Sequence, residues 1–97
     1  MILFMLPEAE RELAEAIDHY NNEQHGLGRD FLSEMEVLLS LIAEGPLHFA
    51  KLRRSRARAA FGKKFPYQIV FALLPDHVRV LAVAHQHRRP NYWRGRI

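Results

Sequence analysis

Residues 65–84 read Phe65-Pro-Tyr-Gln-Ile-Val-Phe-Ala-Leu-Leu-Pro-Asp-His-Val-Arg-Val-Leu-Ala-Val-Ala84. Two apolar runs flank a turn at Leu74–His77, where Pro75 and Asp76 supply the turn chemistry. Phe65–Leu74 is rich in β-branched and aromatic residues, which favour strands. Pro66 is tolerated because it sits near the strand start. Val78–Ala84 sets Val78, Val80, Ala82 and Ala84 on one parity against Arg79, Leu81 and Val83 on the other. The pair predicts an antiparallel hairpin, and the rest of the chain is read around it. Upstream, Ser55–Gly62 carries Ala57, Ala59 and Phe61 on one parity and Arg56, Arg58 and Ala60 on the other. That weak alternation predicts a third strand with one wet, basic face. Leu47–Leu52 fits a strand or a loop.

The N-terminal half has a different period. Ile2–Leu6 is a short apolar run without helical spacing, so it reads as a buried strand. Pro7 suits the first helical position, where its missing N–H costs nothing. Apolar residues then recur at Ala9, Leu13, Ala16, Ile17 and Tyr20, a helical stripe. Helix one is predicted over about Pro7–Gln24. His25-Gly26-Leu27-Gly28 is a turn. The stripe restarts with the same spacing at Phe31, Met35, Leu38, Leu39 and Ile42, which predicts helix two over about Gly28–Glu44, stopped by Gly45-Pro46. The acids Glu8, Glu10, Glu12 and Glu15 read as a solvated helix face. Leu32, Val37 and Leu41 exceed one apolar stripe and point to a contact surface on helix two. The order is β-α-α-β-β-β. This is an α+β fold in which the N-terminal strand and a helical hairpin pack on a small antiparallel sheet, the first strand lying beside the last.

Charge divides the chain the same way. Positions 1–50 hold two basic and ten acidic residues, a net of −8, and positions 51–97 hold twelve basic and one acidic, a net of +11. The helical half is acidic and the sheet half basic. A basic half calls for a polyanion or an acidic protein partner. Acidic helices argue against a helix that reads the DNA major groove. A basic sheet face with Phe65, Tyr67, Tyr92 and Trp93 fits an RNA or nucleotide platform. The competing reading makes Phe65 and Tyr67 packing residues and Trp93 an anchor for the tail.

The 97 residues contain no cysteine. That excludes disulfide scaffolds, thiolate metal sites and cysteine nucleophiles, and it fits a reducing cytoplasm. At this length the chain is one domain, residues 1–97. No apolar run approaches the ~20 residues of a membrane span, and the opening Met1–Leu6 lacks the basic start and length of a secretory leader. His85 and His87 stand two apart at a strand end, but no third ligand has suitable spacing. No metal and no cofactor are expected.

The stretch Arg58-Ala-Ala-Phe-Gly-Lys-Lys-Phe-Pro-Tyr67, followed by His85-Gln-His-Arg88, Pro90 and Trp93, resembles the RelE/ParE toxin superfamily. Pro7-Glu8-Ala9, Asp18–Tyr20 and Gly26-Leu27-Gly28 before Phe31 extend the resemblance over nearly the whole chain. The Phe-Pro-Tyr, His-x-x-Arg and Pro-x-x-Trp set looks closer to the ParE-like branch. The resemblance implies the toxin of a type II toxin–antitoxin operon, also known as a plasmid stabilisation protein. The resemblance further implies a cognate antitoxin whose extended C-terminal segment, here expected to be acidic, would wrap the toxin in a hetero-oligomer.

Two targets follow from the resemblance. ParE-like members inhibit DNA gyrase without known nuclease chemistry, and RelE-like members cut mRNA on the ribosome. In the nuclease case Arg58 and Arg88 match charge-stabilising positions, and His85 or Tyr92 would serve as base or acid. Arg53, Arg54, Arg56, Lys63, Lys64, Tyr67 and Trp93 are the candidates for contact with antitoxin or target. A third reading is a nucleic-acid-binding module or inactive relic without toxicity.

Overall fold

The computed structural model describes all 97 residues. Strand β1 spans Leu3–Met5, helix α1 Pro7–Glu23 and helix α2 Leu27–Glu44. A 3-10 turn at Pro46–His48 leads to β2 (Ala57–Phe61), β3 (Tyr67–Leu73) and β4 (Val78–His85), and a last 3-10 turn covers Arg94–Arg96. The sheet order is β1-β4-β3-β2. β2, β3 and β4 pair antiparallel, and β1 lies beside β4 as expected but runs parallel to it. Parallel pairing needs a crossover, and the long link over residues 45–56 supplies it by carrying the chain back along the sheet between the helical hairpin and β2.

Helix α1 starts without a side-chain cap, at Leu6. Leu6 instead donates its N–H to the Val80 carbonyl at 3.0 Å and packs under the sheet. The helices meet where glycine allows it. Gly26 enters α2 at φ 88°, a left-handed conformation that favours glycine. A Cβ on Gly28 would stand 2.6 Å from the Ile17 carbonyl oxygen, so α1 and α2 touch through backbone there. Gly28 N–H also donates to Asn21 Oδ1 at 2.9 Å, closing the hairpin.

The sheet is covered on both faces, which overturns the expected wet face of β2. On one side the helical hairpin buries Phe31, Met35, Ile42, Ala60, Ile69, Phe71, Val80 and Val83. On the other, the C-terminal tail folds back and buries Ala57, Val70, Ala72, Leu81 and Ala82 under Trp93. Burial on both faces explains the unbroken apolar runs of β3 and β4, which a one-sided sheet would have broken by alternation. A register shift between Val70 and Phe71 leaves Leu81 without a strand partner. The bulge turns both Leu81 and Ala82 toward the tail.

Candidate functional site: an arginine-lined cleft under the C-terminal tail

The tail is held by one carboxylate. Glu12, on α1, accepts from Tyr92 Oη at 2.8 Å, from Arg96 Nη1 at 3.0 Å and from the Val83 N–H at 3.1 Å. Arg88 Nη1 lies 3.7 Å from Glu12 Oε2, the oxygen that also accepts from Tyr92. The Glu12 side chain is only 11% exposed, so the reading of this acid as part of a solvated face fails. Its position carried the signal: Glu12 is three residues after Ala9 and four before Ala16, both buried, so it lies on the packed face of the helix. The two small alanines leave room for the tail to reach it. Arg96 Nη1 also donates to the Leu81 carbonyl of the bulge at 3.0 Å. Its bond to Glu12 raises the Arg96 pKa further.

Between this tail and the segment before β2 opens a cleft of about 670 Å³. Its floor is Gln68, Ala84 and His85, and its walls are Leu52–Arg54 and Arg88–Arg94. Arg94 Nη2 bridges the walls by donating to the Arg53 carbonyl at 3.2 Å. The Arg88 guanidinium carbon sits 3.9 Å from the centre of the Tyr92 ring, a stacked cation–π contact. Burial, then the bond to Glu12, pushes the Tyr92 pKa far above its usual value. His85 Nδ1 accepts the His87 N–H at 3.0 Å, which puts the neutral ring's proton on Nε2.

Of the residues singled out from sequence, Arg53, Arg54, His85, Arg88, Tyr92 and Trp93 line this cleft, and Arg89 and Arg94 join them. Trp93 is 3% exposed and serves as the anchor of the tail. Arg58 lies on the opposite, helix-covered face, where its Nη1 donates to the Phe49 carbonyl at 2.6 Å. Arg56 is exposed beside the cleft, near Arg54 and Arg94. Lys63 and Lys64 sit on the β2–β3 turn, which Glu34 of α2 clamps by accepting from the N–H groups of Lys63, Lys64 and Phe65 at 2.8–3.0 Å. Lys64 Nζ also approaches Asp30 at 3.7 Å.

The aromatic platform does not form. Phe65 is 5% exposed. Its ring meets Tyr20 at 4.9 Å and Phe31 at 5.4 Å, and Tyr67 joins the cluster through the same two rings at 6.0 and 4.9 Å. Burial raises the pKa of Tyr67, against an opposing pull from Arg88. Tyr67 also borders a second hollow with Glu12, His85 and Arg88.

Residues 3–90 match the family described as the ParE toxin of the type II toxin–antitoxin system parDE. The chain belongs to the ParE toxin family. Membership makes it the toxin of a two-component module and implies an antitoxin partner. A solved structure of the chromosomal ParDE toxin–antitoxin system from P. aeruginosa superimposes with a TM-score of 0.78. It covers 88% of the toxin and 95% of that chain at 14% identity, a likeness of fold. No curated protein matches by sequence.

Proposed function

We propose that the toxin arrests growth by inhibiting DNA gyrase as a binding protein, and that it does no phosphoryl chemistry. The observation that carries this reading is that the groups RNA cleavage would use are already engaged. Cleavage needs a base at the 2′-hydroxyl, cations around the phosphorus and an acid at the leaving oxygen. The Tyr92 proton is held by Glu12, and its raised pKa moves it away from neutral acid–base work. The His85 nitrogen that could accept a proton already accepts the His87 N–H. Arg58 is tied to a carbonyl on the far side of the sheet from Arg88. Arg88 lines the cleft with half of its side chain exposed, but it too is shared, with Glu12 Oε2 at 3.7 Å and the Tyr92 ring beneath it.

The antitoxin is read as an extended segment with acidic residues, forming a hetero-oligomer in the cytoplasm. The +11 net charge of residues 51–97 supports the charge of that partner. Val37 and Leu41 on α2, with Phe4 on the edge strand β1, are exposed by 47–59% and supply apolar anchorage. No helix is long and apolar enough to cross a membrane. The test is a supercoiling assay with purified gyrase beside an mRNA-cleavage assay on ribosomes. Inhibition of gyrase without cleavage is expected. Cleavage that Arg88→Ala or Tyr92→Phe lowers on the order of 10²-fold, in a folded chain, overturns the reading.

A further inference from the structure

The cleft arginines are the largest block of chemistry the fold leaves unused. Arg88 shares Glu12 with Tyr92 and Arg96. Arg53, Arg54, Arg89 and Arg94 make no ion pair. Four unneutralised guanidinium groups around one cavity repel each other unless an anion joins them. A second observation points to the same place. The chain has two non-glycine residues at positive φ, Arg54 at 56° and Asn91 at 63°, and they stand in opposite walls of this cleft. Asparagine tolerates that conformation and arginine resists it, so the first wall is held against its local preference. Backbone strain of this kind collects at binding surfaces.

We propose that this cleft binds the phosphodiester backbone of a double-stranded nucleic acid. Guanidinium forks match phosphate oxygens in pairs, and the cleft presents them from two sides. A single strand would need free aromatic faces for its bases. Trp93 is buried, and Arg88 covers the Tyr92 ring at 3.9 Å. An acidic peptide that orders on docking needs apolar anchorage as well as charge. The cleft offers less of that, because Ala84 and Trp93 are 2% and 3% exposed and only Leu52 and Pro90 remain as accessible apolar wall. Dense charge without free stacking faces and with little apolar wall is the footprint of sequence-independent backbone binding. The proposal does not depend on gyrase being the target. Gyrase inhibition without duplex binding would remove this proposal alone.

The experiment titrates the purified toxin into a fluorescent DNA duplex of about two helical turns and follows anisotropy as salt rises. Four phosphate contacts predict a log–log slope near −3.6, about a hundredfold loss of affinity for a fourfold rise in salt. Arg54→Gly/Arg89→Gln should make the slope shallower by about 1.8. Glycine also relieves the strain at position 54, so this variant keeps its fold, which a thermal melt verifies. Arg11→Gln/Arg29→Gln removes the same charge away from the cleft and should shift the slope by less than about 0.5. An RNA duplex of equal length identifies which backbone is preferred, and preference for either supports the proposal. Tighter binding of a single strand or of a glutamate-rich peptide overturns it. So does an equal loss in both double variants, or a slope near zero.

Discussion

Replacing Glu12 by alanine should detach the C-terminal tail. Glu12 is the single acid through which α1 holds Tyr92, Arg96 and the edge of β4, with three donors within 3.1 Å. A hydrogen bond to a charged group is worth about 1.5–3 kcal/mol, and breaking a buried pair from one side costs about 3–5 kcal/mol. Arg96 is 18% exposed, so its charge would stay largely desolvated without a partner. Water entering beside the freed tail offsets part of the loss, which leaves about 3 kcal/mol. For a domain of this length that lowers Tm by about 12–20 °C. The assay is thermal unfolding by circular dichroism, with fluorescence of Trp93 as a local reporter. Trp93 is the sole tryptophan and is the tail's own anchor, buried against the sheet. Its emission should shift to the red below the global transition, as the tail opens first. Glu15→Ala, on the exposed side of the same helix, should stay within about 0.5 kcal/mol of the parent. A Glu12→Ala protein with an unchanged Tm and unchanged Trp93 emission refutes the account of the tail.

Three further outcomes follow from the same contacts. Gly28→Ala improves helix propensity, but its Cβ would meet the Ile17 carbonyl at 2.6 Å; chemical denaturation should therefore show a net loss of about 1–3 kcal/mol, whereas a gain would mean the helices can part freely. Burial pulls the Glu34 pKa upward, but three backbone N–H donors and Lys64 outweigh it, so the net is lowered from 4.5. The stability Glu34 supplies is therefore full above the unfolded carboxylate's pKa and lost as pH falls through the lower folded value. The gap between parent and Glu34→Gln in urea midpoints should hold near neutral pH and close below about pH 4.5; a gap that widens in acid contradicts this. Tyr92→Phe should lose about 1–2 kcal/mol in melts and keep its toxicity in a growth assay, since its hydroxyl serves Glu12.

Periodicity carried most of the architecture. The stripes from Ala9 to Tyr20 and from Phe31 to Ile42 became α1 and α2 within a residue or so at their ends, because each stripe has one face to bury. The hairpin around Pro75 and Asp76 became β3 and β4. What local pattern does not carry is a second layer made by a distant tail. Ser55–Gly62 looked half wet because Arg56 and Arg58 alternate with alanines. In the folded chain Arg58 is drawn to the Phe49 carbonyl, Ala57 lies under the tail, and Ala59 and Ala60 are buried as well. Phe65 suited a stacking platform only while its partners Tyr20 and Phe31, more than thirty residues away, were out of view. The arginines were legible as charge, but which of them share a cleft depends on how Glu12 seats the tail. That contact joins positions some eighty residues apart.

The central claim is that this ParE-family toxin stops growth by binding gyrase, without cutting RNA. Its most direct measurement is a pulse-label time course after inducing the chain alone in a bacterium, following thymidine and amino-acid incorporation together. The account predicts that DNA synthesis fails first, with damage signalling, and that Tyr92→Phe fails it equally. Translation collapsing within minutes, ahead of DNA synthesis and relieved by Tyr92→Phe, would contradict it.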